Sequence, residues 1–177
     1  MKKLLFVFVI LLSLTAKSQH EVKVDVFDLT VFKALDLTYQ YNLNEESAVG
    51  ISLFRNLSDK NNIFNYREEF TITPYYRQYF PLGNTKNVYI EGFLAINSGK
   101  DFITVDTINP DSGEIIDTVS VEKDYTDGAF GFALGKSFVS PRGFVLDLYA
   151  GLGRNLFDTE GSPSVVPRIG INTGFRF

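Results

Sequence analysis

The last ten residues, 168–177, alternate strictly between two kinds of side chain. One face of this strand carries Ile169, Ile171, Thr173, Phe175 and Phe177, and the other carries Arg168, Gly170, Asn172, Gly174 and Arg176. Successive side chains of a strand point to opposite faces, so the segment separates an apolar surface from a polar one. This is the pattern of a barrel strand that meets lipid outside and a polar lumen inside.

The other end of the chain resembles an export signal. Lys2 and Lys3 precede an apolar run over residues 4–12, and the small residues Ala16 and Ser18 stand where a peptidase would cleave before Gln19. The run is shorter than the 18 or more residues that a membrane-spanning helix needs. We therefore expect residues 1–18 to be a signal peptide that is removed, leaving one domain over residues 19–177.

Composition narrows the possible functions. Removing the three lysines of the leader lowers the formal net charge from −4 to about −7, which disfavours a nucleic-acid partner. The chain has no cysteine, so a disulfide framework and thiolate metal sites are excluded.

Period-two alternation divides residues 19–177 into strands separated by turn-rich segments. The clearest strands are 88–97 and 144–155, and similar alternation covers 35–43 and 70–79. The turn-rich segments are 44–47, 57–65, 81–86, 109–113, 140–143 and 158–163. No segment shows helical periodicity, so the pattern predicts an all-β fold.

An even number of strands is needed to return both chain ends to one side of a membrane. Counting the alternating segments from Leu35 gives seven strands. Residues 21–29 supply the eighth, which is joined to the next strand near Phe32 and Lys33. The alternation slips after Val26, which indicates a bulge or kink there. The predicted fold is an eight-stranded antiparallel up-and-down transmembrane β-barrel.

One connection is much longer than the others. Residues 98–127 contain two alternating segments around a strong turn signal at 109–113, so they predict a hairpin that continues strands five and six beyond the membrane. Short turns then lie on the periplasmic side and the long excursion lies outside, as in outer-membrane barrels.

The polar phase of the strands indicates a closed, filled lumen. A water-soluble barrel would turn its charges outward, whereas here the polar phase combines several glycines with charges of both signs, and Arg77 and Glu91 lie on adjacent predicted strands. The predicted lumenal polar cluster is Asp36, Arg77, Glu91, Asp147 and Arg168. We expect Tyr75, Tyr79 and Tyr149 to hydrogen bond within it.

The chain resembles the small eight-stranded outer-membrane β-barrel proteins of the Bacteroidota, which have an OmpA/OmpX-like architecture. The segments that carry the resemblance are 73–80, 90–93 and 174–177. It implies location in the bacterial outer membrane, among lipid and lipopolysaccharide. It also implies recognition by the outer-membrane assembly machinery, with Phe175 and Phe177 as the assembly signal.

Candidate chemistry is sparse. His20 is the only histidine and lies at the start of the exported chain, and Ser52, Ser98 and Ser137 have no base in strand phase. No catalytic, cofactor-binding or metal-binding residue is predicted, and no cofactor.

Two groups of carboxylates nevertheless admit a functional interpretation. Asp36, Glu91 and Asp147 are either an acid–base or ion-path group or an internal salt-bridge cluster, and the narrow lumen of eight strands favours the cluster. The acidic hairpin either binds divalent ions or is a solvated surface, and because its spacing matches no calcium loop we expect the solvated surface. Its acidic residues are Asp106, Asp111, Glu114, Asp117, Asp124 and Asp127.

The expected function is that of a non-enzymatic outer-membrane barrel, involved in envelope integrity or in contact with a surface protein partner through the hairpin. The alternative is a small porin-like channel or ligand-binding barrel that uses the polar lumen.

Overall fold

The computed structural model describes residues 19–58, 68–82, 85–108, 115–157 and 159–177. The predicted signal peptide, residues 1–18, lies outside the described residues. The strands are β1 His20–Asp25, β2 Ala34–Asn42, β3 Ser47–Asn56, β4 Glu68–Leu82, β5 Thr85–Ile108, β6 Ile115–Val139, β7 Phe144–Asn155 and β8 Val165–Arg176.

These strands form a closed antiparallel barrel in sequence order, and β8 pairs with β1. The ring of strands is therefore closed, as the alternation predicted, although β1 is shorter than its two neighbours. The backbones of His20 and Phe177 exchange hydrogen bonds of 3.1 and 2.9 Å, so the described chain starts and ends at one end of the barrel, here called the base. The opposite end is called the rim.

The connections follow the predicted asymmetry. The β2–β3, β4–β5 and β6–β7 connections lie at the base, as predicted, and all three are short. At the rim, β5 and β6 continue as a paired hairpin from Ser98↔Thr126 to Ile108↔Ile115. At about 3.4 Å per residue, this ladder extends roughly 35 Å beyond the barrel wall.

The side-chain faces also follow the predicted alternation. On β5, Tyr89, Glu91 and Phe93 point into the lumen and are buried, while Leu94 and Ile96 are 57% and 62% exposed on the outer face. Glycines on the lumenal phase make room for large rings: a Cβ at Gly50 would collide with Tyr75, and one at Gly135 with Tyr89. The lumen is therefore packed with bulky polar and aromatic groups.

The predicted extent of the first strand, residues 21–29, was wrong, because the observed strand ends earlier. β1 ends at Asp25, and residues 28–32 form a short π-helical turn followed by Lys33 in the left-handed region at φ 53°. The slip in the alternation after Val26 therefore marks a change from strand to helical turn, which period-two analysis could not distinguish from a bulge.

Among the described residues, no helix is long and apolar enough to cross a membrane.

Candidate functional site: the lumen and the rim

The lumen holds a continuous series of charged side chains of alternating sign. We call this series the lumenal ion-pair network. From the base toward the rim its members are Arg176, Glu21, Lys23, Asp147, Arg77, Glu91 and Arg168.

The lower half of the network centres on Lys23. Its Nζ donates to Glu21 Oε2 at 2.9 Å and to Asp147 Oδ2 at 2.7 Å, and Gln40 Oε1 accepts a third bond at 3.0 Å. Glu21 is also bound by Arg176, whose Nε lies 2.7 Å from Oε1. An ammonium has three protons to donate, and all three have acceptors here.

The upper half centres on Arg77. Its Nε donates to Glu91 Oε2 at 2.5 Å and its Nη1 to Asp147 Oδ2 at 2.7 Å. Arg168 Nε binds the other oxygen of Glu91 at 2.8 Å. The Arg77 guanidinium also lies 4.1 Å from the ring centroid of Tyr89, a cation–π distance. Arg77, Glu91, Lys23 and Asp147 have no exposed side-chain surface, so these charges depend on one another.

The structure thus joins four of the five residues of the predicted cluster. The fifth, Asp36, lies in the lumen, but its side chain is held by Ser52 Oγ at 2.5 Å and forms none of the ion pairs of the network. The predicted tyrosines bind nearby polar groups: Tyr75 and Tyr79 contact Gln40, and Tyr149 donates to Asp25.

Sequence reasoning missed Glu21, Lys23 and Arg176 as members of the network. Their signal was present, because each belongs to the polar phase of its strand. Their pairing depends on β1 closing the barrel between β2 and β8, a register that no local pattern specifies.

The network fills the middle of the lumen. Arg77, Tyr89, Lys23 and Gln40 are large side chains, and all are fully buried at this level. An eight-stranded barrel has an interior just wide enough for its own side chains. The network therefore acts as a plug that cross-links β1, β4, β5, β7 and β8.

Above the network, toward the rim, lies a cavity of about 180 Å³. Its floor includes Arg168 and Tyr149, and the β1–β2 connection contributes Phe27, Asp28 and Phe32 to its wall. Because aromatic rings and a few carboxylates line it, the cavity can hold a small molecule with an apolar body.

The β7–β8 connection is fixed to the rim by Asp127. Its Oδ1 accepts from the backbone N–H groups of Gly128 at 2.7 Å and Phe157 at 3.1 Å, and its Oδ2 accepts from Thr159 N at 3.0 Å and Ser162 Oγ at 2.8 Å. Burial acts to raise the pKa of the Asp127 carboxyl, but these hydrogen bonds outweigh it and lower the pKa.

The prediction that the acidic hairpin residues form a solvated surface was therefore wrong for Asp127, which is buried. Asp124 is exposed, and Asp111 and Glu114 lie outside the described residues. Within the described part of the chain, no group of three or more histidine, cysteine or acidic residues is placed to hold a metal ion.

The predicted assembly-signal residues lie at the base. Phe175 is on the outer face and packs edge-on against Phe144, with ring centroids 5.8 Å apart. Phe177 stacks near His20 at 6.1 Å, and His20 Nδ1 lies 2.8 Å from the Tyr39 hydroxyl. The lone histidine thus belongs to an aromatic group that covers the junction of β1 and β8.

Comparisons with known proteins give one structural similarity. No protein-family model and no curated protein matches the chain. Among solved structures, the chain is similar to the Yersinia pestis outer membrane protein Ail in a phospholipid bilayer nanodisc, with 16% sequence identity and a TM-score of 0.42. The similarity covers 91% of this chain and 100% of that one. A likeness at this level carries no conclusion about location or function.

Proposed function

We propose that the chain is a non-enzymatic β-barrel protein of the bacterial outer membrane, of OmpA/OmpX-like architecture, that contributes to envelope integrity or to surface interaction. The observation that carries the proposal is the inverted distribution of side chains, with charges enclosed in the lumen and large apolar groups on the outer face.

The outer face is too apolar for water. Large apolar side chains project from all parts of the wall, and on the longer strands they form a belt about nine residues long, such as 88–96 on β5 and 144–152 on β7. Examples are Val22, Leu37, Leu53, Ile90, Leu94, Ile96, Phe132, Leu134, Leu148, Leu152 and Ile169. Contiguous exposed apolar surface of this extent marks contact with a membrane or a partner, and nine residues match a tilted strand that crosses a bilayer.

The proposed orientation puts the base in the periplasm and the hairpin outside the cell. In this orientation the outer-membrane assembly machinery recognises Phe175 and Phe177 on the last strand. Outer-membrane lipid contacts the belt, and lipopolysaccharide surrounds the rim.

The hairpin is the feature suited to a protein partner. In the described residues, β5 pairs with β4 only as far as Gly99, and β6 pairs with β7 only from Ala129. Above these points each hairpin strand has one edge without a ladder partner, and such an edge can accept a strand from another protein.

The hydrogen-bonding direction of each edge follows from the register. Gly128 O accepts from Leu156 N and Thr126 O accepts from Thr159 Oγ1, so even-numbered residues of this part of β6 face the β7 side, and Ser120 faces the same side above the β7–β8 connection. Thr104 pairs with Ser120 and therefore faces the opposite free edge. A proline at either position removes a donor from one edge and leaves the hairpin ladder intact.

These positions define the test of surface interaction. Cells that display a variant lacking residues 102–121 should adhere less to a protein-coated surface, while the barrel remains folded and heat-modifiable on a gel. If the partner binds the β6 edge, Ser120→Pro should reproduce the loss of adhesion, and if it binds the β5 edge, Thr104→Pro should do so. Ser120→Val and Thr104→Val keep the backbone N–H, so cells that display them should adhere normally. Unchanged adhesion in the deletion variant would remove the interaction role.

The alternative is a small channel or ligand-binding barrel. The cavity above the network favours ligand binding, while the plug formed by the network disfavours conduction. A conducting barrel would give currents in planar bilayers that change in Arg77→Ala. A silent bilayer would leave ligand binding as the surviving form of this alternative.

A further inference from the structure

The barrel wall contains a seam at its rim half, between β8 and the β1–β2 connection. Toward the rim, β1 pairs with β8 only as far as Asp25↔Asn172, and with β2 only as far as Val24↔Leu37. β8 continues to Val165 and β2 begins at Ala34, so both strands extend beyond the end of β1. In the described residues, β8 over 165–171 therefore has no strand partner on this side.

The sequence accommodates this interruption. The N–H groups of odd-numbered β8 residues point toward β1, as the bond from Phe177 N to His20 O shows. At Ile171 this donor is accepted by Asp25 Oδ1 at 3.2 Å, and at position 167 the residue is proline, which has no N–H. Of the β8 N–H groups that face the seam, the one at Ile171 thus binds a carboxylate and the one at position 167 is absent, where a neighbouring strand would otherwise supply acceptors.

Asp25 also fixes the other side of the seam. The same oxygen accepts from Phe27 N at 2.8 Å and Asp28 N at 3.2 Å, which starts the helical turn, while Tyr149 donates to Oδ2 at 2.8 Å. The turn packs against β2 and leaves β8 on the far side of the seam. Leu29 and Val31 of the turn are exposed.

The cavity above the network reaches this seam. Its lining includes lumenal residues such as Phe93 and Val166, and also Pro167 and Ile169. Those two belong to the outward phase of β8, and Ile169 is exposed on the outer face. The cavity therefore extends to the stretch of β8 that has no strand partner at the seam.

We infer that this cavity is a binding site for a small apolar molecule that is neutral or cationic, and that the molecule enters sideways through the seam. The route rests on the proposed membrane location, since it would open into the lipid, but the binding site itself does not.

The lining determines the class of ligand. Phe27, Phe32, Phe54 and Phe93 supply aromatic surface, which suits an aromatic ring or a short hydrocarbon. An apolar cavity of about 150 Å³ in another protein holds benzene, so 180 Å³ accepts a molecule of about one substituted ring.

The charges of the lining select against an anion. Asp28, Asp36 and Glu68 contribute carboxyl groups, whereas the cation at the floor, Arg168, is already paired with Glu91. An anionic ligand would meet three carboxyl groups and one cation, and that cation already donates its Nε to Glu91.

Three indoles with the same ring and different charge test the binding site. Because the chain has no tryptophan, indole fluorescence reports only the added probe. With the full-length exported chain in detergent micelles, we expect tryptamine and indole-3-ethanol to bind at least about tenfold more tightly than indole-3-acetate. Equal binding of the three indoles to the protein, or binding no greater than that to micelles without protein, would overturn the inference.

A variant that fills the cavity and a matched control on the outer face test the site further. Ala95→Leu places a larger side chain in the cavity lining, and Ala150→Leu makes the same change on the outer face. Ala95→Leu should weaken tryptamine binding at least about tenfold, and Ala150→Leu should leave it unchanged. If Ala95→Leu does not fold, Val166→Phe fills the same space from β8. Full binding by a folded cavity-filling variant would overturn the site.

The entry route is tested by kinetics in lipid nanodiscs. Ile169→Phe narrows the seam from outside, so association and dissociation of tryptamine should both slow. Leu152→Phe, on the outer face of neighbouring β7, is the control and should leave both rates unchanged. Unaltered rates in Ile169→Phe would overturn lateral entry. Binding of the indoles in micelles does not depend on the membrane location. A failure of the proposed membrane location can therefore be distinguished from a failure of the proposed binding site.

Discussion

Arg77→Met tests whether the lumenal ion-pair network stabilises the barrel. The substitution preserves an unbranched side chain but removes the cation between Glu91 and Asp147, at 2.5 and 2.7 Å. Removing one partner of a buried pair costs about 3 to 5 kcal/mol. Here each carboxylate keeps a second cation, Arg168 for Glu91 and Lys23 for Asp147, so we expect a loss near the lower limit, about 3 kcal/mol.

The measurement is urea unfolding in lipid vesicles, with the folded fraction read from the mobility of unheated samples on a gel. Arg142→Met makes the same change in the exposed turn at the base and should alter the free energy of unfolding by no more than about 0.5 kcal/mol. Combining Arg77→Met with Asp147→Asn should cost less than the sum of the single changes, by about 0.5 to 3 kcal/mol, because the two residues are in contact. A loss in Arg77→Met as small as that in Arg142→Met would refute the stabilising role of the network.

Three further predictions concern other parts of the molecule. Gly135→Val should destabilise the barrel by about 1 to 3 kcal/mol in the same urea assay, because the added side chain collides with Tyr89, and full stability would contradict the packing of the lumen. Since the folded-state pKa of Asp127 is lowered, its contribution is present above the unfolded pKa, about 3.9, and is lost as the pH falls through the folded value. Hydrogen exchange of the Phe157 amide, corrected for intrinsic rates, should therefore accelerate at low pH. In the Asp127→Asn variant, exchange of the same amide should be fast at every pH. Trypsin added to intact cells should cut within residues 98–127, after Lys100 or Lys123, and cutting confined to the base turns would contradict the proposed orientation.

Some features of the fold were predictable because they depend only on the alternation of apolar and polar side chains within one segment. On β5 and β7 large apolar and polar side chains alternate over nine or more residues, so their two faces follow from period two alone. The continuation of β5 and β6 beyond the barrel was equally local, since each half of the hairpin has its own alternation on either side of a turn signal.

Other features depend on contacts distant in sequence and could not be predicted. Asp25 accepts a hydrogen bond from Ile171 across the closure of the barrel, which explains why β1 stops there. Asp127 is buried only because the β7–β8 connection folds onto it, and Lys23 meets Asp147 only in the final register. In each case the local sequence showed a polar residue in the expected phase and gave no information about its partner.

The central claim is that the apolar belt lies in lipid, and fluorescence quenching tests it most directly. The chain has no cysteine, so Leu94→Cys on the belt and Val119→Cys on the hairpin each give one labelling site, and both positions carry an exposed apolar residue, 57% and 47%. In vesicles containing acyl-chain nitroxides, a fluorophore at position 94 should be strongly quenched and shielded from aqueous iodide, whereas one at position 119 should show the reverse. Equal accessibility of the two positions to iodide would contradict the claim.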